Sequence, residues 1–429
     1  MEKLNEDFII NLSNNKNEPL WMKNFRLNSY KKFLELDNPS FGPKINIDFD
    51  NLVYHKGLFA PPSCSWENVD KKVKNTFNDL GVIEAENKYL KGVSNQYESE
   101  VIYHKMEESD GIIFLSSDEA LKKYPELFEK YFNNLVKYDE NKYTALNSAL
   151  WSGGSFIYIP PYTKVDRPLQ SYFRIDTKNL GQFERTIIIV DHDSSLHYIE
   201  GCTAKNYSTT SLHAGVVEIY VGKNSTCKYS TIQNWSKDVY NLVTKRAILE
   251  EGAYMQWVDG NIGSGVTMKY PSCILKGDNS KASSISIAYA KEGQHLDAGA
   301  KMIHLGKNTK STIISKSIAG FGGTSDYRGT VKIAKDATGS FATIKCDNII
   351  LDSISSSNTY PKNIVENNES TLEHEATISK INEEKLNYLM SLGISEDAAK
   401  DLYVLGFMSD FKKILPMEYA VELNRLIKE

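Results

Sequence analysis

Short apolar runs alternate with turn residues through the middle of the chain, from about Ser155 to Leu372. Runs such as TIIIVD, VVEIYV, SISIAYA and TVKIA are rich in Ile, Val, Tyr and Thr, and Gly, Asn and Asp stand between them. β-Branched and aromatic residues bounded by turn residues are typical of short strands. The central part of the chain is therefore predicted to be all-β.

These strands belong to a weak internal repeat of strand, turn and second strand, as in EIYVGKNSTCKYSTI and MIHLGKNTKSTIIS. The turns recur at intervals of roughly 27 to 31 residues and align near Asp193, Asn224, Gly252, Asn279, Asn308 and Ala337. One such unit buries its apolar face only by stacking on its neighbours, which makes a solenoid. An irregular β-sandwich is the competing interpretation, and the regular period favours the solenoid. Its two ends must each be capped or paired.

Helical patterns precede the β region. Apolar residues recur at near-helical spacing over 18–36, and Asn38–Pro39 ends that segment because a residue before proline leaves the helical region. Ser116 is positioned to cap a helix that begins at Asp118.

Helical patterns also follow the β region. The segment EEKLNYLMSLGISEDAAKDLYVLGFMSDF predicts two helices separated at Gly393, and Pro416 begins a third. We therefore divide the chain into an N-terminal helical and loop region (1–105), a β-solenoid core (106–372) and a C-terminal helical region (373–429).

The composition is that of a globular protein and argues against some classes of partner. Hydrophobic residues make up 41% and charged residues 24%, and the net charge is -5. This balance argues against binding nucleic acid or an anionic membrane through bulk charge. The first residues lack the features of a signal or transit peptide, so a cytoplasmic location is expected. No phosphate loop, G-x-S-x-G elbow or H-E-x-x-H motif occurs, so no ATPase or hydrolase is indicated.

The five cysteines lie far apart and form no CxxC pair: Cys64, Cys202, Cys227, Cys273 and Cys346. This pattern excludes a disulfide-stapled secreted domain and a zinc finger closed by local spacing. Cys202 follows Gly201 at an expected turn, which can leave the thiol accessible. A nearby cation such as Lys245 or Arg174 would favour its thiolate. Burial in the core is the alternative.

Cys346 lies in the last recognisable repeat, and Glu373–His374–Glu375 comes just beyond it. Thiolate, imidazole and carboxylate groups all bind iron. If the coil brings them together, they make a site near one end of the solenoid. The alternatives are a cysteine that only fills the core, as we expect for Cys227 and Cys273, and a solvated acidic helix start.

Several long blocks occur in a fixed order: YFRIDTKNLGQFERTIIIVD, YIEGCTA, QNWSKDVYNLVTKRA, DAGAKMIHLGKNTKSTIISKSI, YRGTVKI and LEHEATISKI. They resemble the SufB branch of the SufB/SufD family, scaffold proteins of the Suf system for iron–sulfur cluster assembly. The resemblance covers nearly the whole chain from residue 18 onward. It implies a right-handed parallel β-helix core with helical N- and C-terminal regions, and a scaffold rather than an enzyme.

The resemblance also implies roles for individual residues. Cys346 matches the cluster-forming cysteine and Glu375 the acidic residue beside it, with Glu373 and His374 as further candidate metal ligands. Cys202 matches the persulfide acceptor. A sulfur path from there to the cluster site is implied for four residues: Arg174, Gln233, Trp235 and Lys245. Asp176 departs from the family pattern, which often has Asn there, and puts a potential charge beside Arg174.

The partners implied by the resemblance are all proteins. They are the SufC ATPase docked on the C-terminal helices, SufD or a second SufB chain, and a sulfur donor such as SufE or SufU with a cysteine desulfurase. The cofactors implied are a transient iron–sulfur cluster and, as a further candidate, reduced flavin; no nucleic acid or membrane partner is implied. Two alternatives compete. The EGC, NWS and TKRA blocks count against a SufD-like structural subunit, and a β-helical polysaccharide enzyme would need clustered carboxylates.

Overall fold

Coils of parallel β-strand stack into a β-solenoid of about 8 turns. The computed structural model describes residues 3–107, 111–204 and 210–409. The helices in chain order are α1 (Glu6–Asn15), α2 (Leu20–Glu35), α3 (Lys71–Asp79), α4 (Val82–Tyr89), α5 (Ser117–Lys123), α6 (Pro125–Tyr131), α7 (Lys142–Leu150), α8 (Glu383–Ser391) and α9 (Glu396–Phe407).

The strands in chain order are β1 (Gly92–Tyr97), β2 (Glu100–Met106), β3 (Ile113–Ser116), β4 (Ser155–Ile159), β5 (Leu169–Ile175), β6 (Gly181–Gln182), β7 (Arg185–Val190), β8 (Ser195–Ala204), β9 (Ser211–His213), β10 (Val216–Val221), β11 (Thr226–Asn234), β12 (Val239–Leu249), β13 (Tyr254–Asn261), β14 (Val266–Lys269), β15 (Ser272–Leu275), β16 (Lys281–Ala290), β17 (His295–His304), β18 (Lys310–Ala319), β19 (Thr324–Ile333), β20 (Phe341–Ile350), β21 (Ser356–Val365) and β22 (Thr371–Lys380).

Two long sheets line the interior of the solenoid. The first has the order β2-β1-β5-β8-β11-β13-β16-β18-β20-β22. The second has the order β21-β19-β17-β14-β12-β10-β7-β4-β3, with β6, β9 and β15 paired beside it. Among the described strands, neighbours run parallel except at β1–β2 and β3–β4, where the chain doubles back and closes the N-terminal end of each sheet. The predicted parallel β-helix core, with helical regions before and after it in the chain, is confirmed.

Turns that need a left-handed backbone separate the coils. The expected turn residues Asp193, Asn224, Gly252, Asn279 and Asn308 all have φ between 53 and 65 degrees. The sixth turn surrounds Ala337 as expected, and its left-handed residue is Gly339, with φ 69. Glycine and asparagine tolerate this conformation, whereas the Cβ of alanine disfavours it.

Helices cover the outer faces of both sheets. Phe77 of α3, Val82 of α4 and Val404 of α9 pack with Ile199 and Ile232 on the outside of the first sheet. On the second sheet, one apolar cluster includes Met22 of α2, Phe128 of α6, and Phe156, Ile187 and Ile189 of the strands. The expected helices are confirmed: α2 ends before Asn38–Pro39, the Ser116 hydroxyl accepts from the Glu119 amide to cap α5, and Gly393 separates α8 from α9.

Sheet pairing crosses both of the expected domain boundaries. β1 pairs in parallel with β5 although it precedes residue 106, and β22 continues the first sheet to Lys380. Glu373–His374–Glu375 therefore lies in a strand, and its interpretation as a helix start was wrong because the solenoid continues for one more coil. The division into three domains stays a prediction, and the helix expected from Pro416 lies outside the described residues. None of the helices described combines the length and apolarity needed to span a lipid bilayer.

A fully buried ion pair fixes the loop between α6 and α7 to the second sheet. The Arg185 guanidinium lies 2.7 Å from the Glu218 carboxylate, and both side chains are inaccessible to solvent. Glu218 also accepts hydrogen bonds from the backbone amides of Asn133, Leu135 and Val136. Removing one partner of such a pair leaves a buried charge uncompensated.

We therefore expect Glu218→Gln to lower the free energy of unfolding by about 3 to 5 kcal/mol, seen as a fall in the midpoint of denaturant unfolding. The control is Lys223→Gln, which breaks the exposed Lys223–Glu251 pair and should change stability by less than about 1 kcal/mol. Equal effects of the two substitutions would contradict the role given to the buried pair.

Candidate functional site

Inward-facing residues of the first sheet form columns that run along the solenoid, and two of these columns contain Cys346 and Cys202. Because side chains alternate between the two sides of a strand, residues two apart face the same way and paired residues stack. The first column is Ser171, Glu200, Thr231, Asp259, Ser286, Ser315 and Cys346. The second is Phe173, Cys202, Gln233, Asn261, Ala288, Ser317 and Asn348. Five strand steps separate the coils of Cys202 and Cys346, which corresponds to about 24 Å.

Cys202 lies inside β8 and not at a turn. The sequence left two alternatives open, an accessible thiol beside Gly201 and burial in the core, and the structure shows burial: Cys202 is 1% exposed. Burial raises the pKa of the Cys202 thiol well above its ordinary value, and the nearby Glu200 and Glu184 carboxylates raise it further. Lys245 and Lys269 act in the opposite direction without reversing the shift. The resting protein therefore holds Cys202 as a neutral thiol.

Glu200 is the polar centre around Cys202. Its carboxylate accepts from Lys245 Nζ at 3.1 Å, from Thr231 Oγ1 at 3.4 Å and from the Tyr229 hydroxyl. The Cys202 Sγ lies 3.8 Å from the same Oε1 atom. Although burial opposes its ionisation, Lys245 and Tyr229 hold the pKa of Glu200 below its ordinary value, so the group is a carboxylate.

A second polar group continues along the interior. Lys269 Nζ lies 2.8 Å from Asp259 Oδ1 and 3.4 Å from the amide oxygen of Gln233. Asn241 donates to the same Gln233 oxygen at 2.6 Å and lies 2.8 Å from the His213 ring. Gln233 therefore joins the Cys202 column to the charged groups of the opposite sheet.

His213 extends this network to Glu184, whose carboxylate lies 2.6 Å from its Nε2 atom. Burial lowers the pKa of His213, but the Glu184 carboxylate outweighs burial and raises the pKa overall. Each of the acids Glu200, Asp259 and Glu184 is thus paired with a basic side chain within the interior.

Trp235 lies beside this network and Arg174 lies apart from it. Trp235 is buried in the same apolar cluster as Cys202, and its ring lies tilted against that of His213 with centroids 4.6 Å apart.

Arg174 follows the inward-facing Phe173 and so points to the other side of the strand. Its guanidinium pairs with Asp176 at 2.7 Å and donates to Thr203 at 3.0 Å. The structure brings together Cys202, Gln233, Trp235 and Lys245, and it leaves Arg174 on the opposite face.

Cys346 lies one coil from the C-terminal end of the solenoid. It is fully buried, and burial raises the pKa of its thiol to about 12 although the neighbouring Tyr327 hydroxyl lowers it in part. In the final strand, β22, its register partner is Ala376. In this column, only the methyl group of Ala376 therefore lies between Cys346 and the open end of the solenoid.

The acidic residues expected beside Cys346 lie on the surface. Glu375 pairs in register with Lys345, and their charged groups are 3.8 Å apart on the outer face. His374 lies 3.0 Å from Asn363 and pairs with the inward-facing Ile344. Within the described residues, no group of three or more His, Cys, Asp and Glu side chains is arranged to hold a metal ion. A complete ligand set is not formed by this part of the chain alone.

Sequence reasoning missed several residues of the interior, namely Glu200, Tyr229, Asp259 and Lys269. The repeat period was a signal for Asp259 and Glu200. Counting back from Cys346 by one coil at a time gives Ser315, Ser286, Asp259, Thr231 and Glu200. Lys269 carried no such signal, because it belongs to the opposite sheet and meets the column only through the packing of the two sheets.

Cys227 and Cys273 are buried, as expected, and Cys64 is exposed. The Trp257 indole N–H lies 3.2 Å from the Cys273 sulfur. These two buried thiols therefore act in packing.

Comparison with known proteins assigns both parts of the chain to one family. Residues 173–407 match the model of the SUF system FeS cluster assembly SufBD core domain, and residues 68–171 match that of the SufBD protein N-terminal region. The chain is 52% identical to the iron–sulfur cluster assembly protein SufB of Bacillus subtilis, over 99% of this chain and 92% of that protein. It is 54% identical, with the same coverage, to SufBD family proteins of Staphylococcus aureus and Staphylococcus saprophyticus.

The burial of the thiols predicts how they react with an alkylating agent. At pH 8 we expect iodoacetamide to label Cys64, whereas Cys202 and Cys346 should react slower by roughly a hundredfold or more, because the thiolate is the nucleophile and burial disfavours it. Raising the pH from 7 to 9 should leave both inner cysteines protected, since the pKa of each lies above that range.

Peptide mass spectrometry after timed quenching measures each site separately. Unfolding in guanidinium is the control and should make all the cysteines react alike. Rapid labelling of Cys202 in the folded chain would show that the thiol is not held in the buried state described.

Proposed function

The chain belongs to the SufBD family of iron–sulfur cluster assembly proteins, and on this premise we propose that it is a SufB-type scaffold that receives sulfur at Cys202 and builds a transient cluster at Cys346. A role in iron–sulfur cluster assembly follows from membership of the family. The observation that supports the finer proposal is the polar interior: Cys202 lies in one inward-facing column, and the neighbouring column runs from Glu200, beside Cys202, to Cys346. A polar lining is costly to bury, and charged pairs offset part of that cost here.

Sulfur enters, in this proposal, by exchange between thiol and persulfide. Cys202 attacks the outer sulfur of a donor persulfide, a new S–S bond forms at Cys202, and the donor leaves as a thiol, so there is no net oxidation. Gln233, Trp235 and Lys245 line the interior beside Cys202 and serve as the path. Arg174 acts from the other face, where it holds Thr203 next to Cys202. The donor is a SufE- or SufU-like protein charged by a cysteine desulfurase.

The cluster is cargo that the scaffold must release. A full cage of cysteines would hold it firmly, and incomplete ligation suits transfer. Cys346 provides the sulfur ligand, and Glu375 is the acidic ligand, with Glu373 and His374 as further candidates. Because Cys346 and Glu375 lie on opposite faces of their strands, we propose that a second chain at the open end completes the site and reorients these side chains.

The C-terminal end of the solenoid supports the partner assignment. The last strands, β21 and β22, are mostly exposed, in contrast to the closed N-terminal end. An unpaired strand edge is a template for pairing with another chain. We propose a SufD-like chain or a second copy of this chain as its occupant.

The terminal helices support the proposal of an ATPase partner. Tyr388, Leu392 and Leu402 of this region are between 48% and 65% exposed. Exposed apolar side chains that lie together are typical of a surface that binds another protein. The sequence has no phosphate loop, so ATP hydrolysis is assigned to SufC docked on these helices. No catalytic activity of the chain itself is proposed, and we assign no residue and no step to a reduced flavin.

Replacement of the two key thiols tests the scaffold function. With SufC and a SufD-like partner, anaerobic iron and sulfide should produce cluster absorbance near 400 nm, and Cys346→Ser should abolish most of it because the sulfur ligand is lost. Cys202→Ser should retain this chemical reconstitution but lose persulfide capture from a charged donor, measured by mass spectrometry.

Cys64→Ser is the matched control, because it removes an exposed thiol far from the interior columns and should change neither measurement. Unchanged cluster yield in Cys346→Ser would reject the assembly site. A chain that supports the complex but captures no persulfide at Cys202 would instead be a SufD-like structural subunit.

A charge placed on the open end tests the partner site. Ile378 of β22 is 51% exposed, and Ile378→Lys should weaken association with the second chain by about tenfold or more, because a lysine at a strand edge opposes edge pairing. Size-exclusion chromatography with light scattering measures the complex. Leu58→Lys, at an apolar position 89% exposed in the N-terminal region, is the control and should leave association intact. Loss of binding in both variants, or in neither, would contradict the placement.

A further inference from the structure

One carboxylate oxygen of Glu200 contacts both the Cys202 thiol and the Lys245 ammonium group. Glu200 Oε1 lies 3.8 Å from Cys202 Sγ and 3.1 Å from Lys245 Nζ. All three side chains are at most 1% exposed, so solvent does not screen their charges. The position of Lys245 is thus set by the same group that contacts the thiol.

Charged and titratable groups of both sheets surround Cys202: Tyr198 and Glu200 of β8, Tyr229 of β11, Lys245 of β12, Asp259 of β13, Lys269 of β14, His213 of β9, and Glu184. Both lysines among these groups are engaged with carboxylates, Lys245 with Glu200 and Lys269 with Asp259. A lysine that is paired with a carboxylate stabilises a thiolate much less than a lysine that faces the sulfur directly.

We infer that Glu200 is a positioning residue of the sulfur acceptor, which binds Lys245 and thereby keeps its ammonium group from pairing with Cys202, so that the resting sulfur is a neutral thiol. The inference rests on the proposed role of Cys202 in accepting sulfur. Activation then requires Lys245 to exchange the carboxylate for the sulfur. The Tyr229 hydroxyl, which also donates to Glu200, holds the carboxylate in the position that favours the resting pairing.

The direction of the effect follows from charge. Glu200→Gln removes the negative charge beside the thiol and releases Lys245 toward the sulfur, and both changes favour the thiolate. A single unit charge at this distance in a buried site is expected to raise the thiolate fraction of Cys202 at a given pH by about tenfold or more. Glu200→Asp keeps the charge and is the rescue variant, so its thiolate fraction should stay close to that of the unaltered chain.

The titration of Cys202 can be followed in the full chain without a chemical probe that must enter the interior. Cysteine labelled with carbon-13 at Cβ gives one resonance for each of the five cysteines, and Cys202→Ser assigns the one of interest. The resonance shifts when the thiol ionises, and its pH profile is compared among the unaltered chain, Glu200→Gln and Glu200→Asp. Near-ultraviolet circular dichroism checks that each variant is folded.

Asp259→Asn is the matched control, because it removes the carboxylate of the neighbouring pair and releases Lys269 instead of Lys245. Its effect on the Cys202 profile should be clearly smaller than that of Glu200→Gln. Should Glu200→Gln fail to fold, Lys245→Met provides the second test, since loss of the cation must lower the thiolate fraction or leave it unchanged. A rise in Lys245→Met would overturn the inference.

An unshifted Cys202 profile in folded Glu200→Gln would also overturn the inference, and so would deprotonation of Lys245 in place of the thiol. Failure of the proposed function looks different. If the unaltered chain captures no persulfide at Cys202 while the profile still shifts in Glu200→Gln, the carboxylate positions Lys245 but the thiol is not the acceptor. If capture is normal and the profile does not shift, Cys202 remains the proposed acceptor and the role given to Glu200 is rejected.

Discussion

The in-register stacking of parallel coils is the constraint on which the rest of the structure depends. Each residue lies over its counterpart from the previous coil, so a single inward-facing position becomes a continuous column through the solenoid. Burying a polar residue in such a column is costly unless it finds a partner in the neighbouring coil or in the opposite sheet. Glu200 and Asp259 of one column each pair with a lysine of the opposite sheet, Lys245 and Lys269. The match in charge between the two sheets therefore helps to stabilise the polar interior.

Burial controls the state of the two thiols as strongly as it controls stability. Cys202 and Cys346 both lie where the neutral form is favoured, and for Cys202 the surrounding acids reinforce this preference. A neutral buried thiol resists oxidation and alkylation. The interior therefore keeps both sulfur groups in a protected form, and a reaction at either thiol needs a change in its partners or in its exposure.

The sequence was sufficient for the architecture because the repeat is local. Asn308 and similar residues mark turns through their own backbone preferences. Which face a residue takes depends on the phase of each strand, so the sequence left both an accessible and a buried Cys202 open. Glu375 lies one residue before Ala376, the register partner of Cys346, and therefore faces outward. Contacts across the interior, such as Glu200 with Lys245, depend on the packing of two sheets and leave no pattern along one strand.

The bare strands at the C-terminal end of the solenoid have a consequence for how a cell makes this protein. A freshly synthesised chain carries an unpaired strand edge, and exposed strands of other chains can pair with it as long as it stays uncovered. Unwanted association at this edge grows with the concentration of the chain. The rate at which the protein is made therefore bears on its solubility, as the residues of its core do.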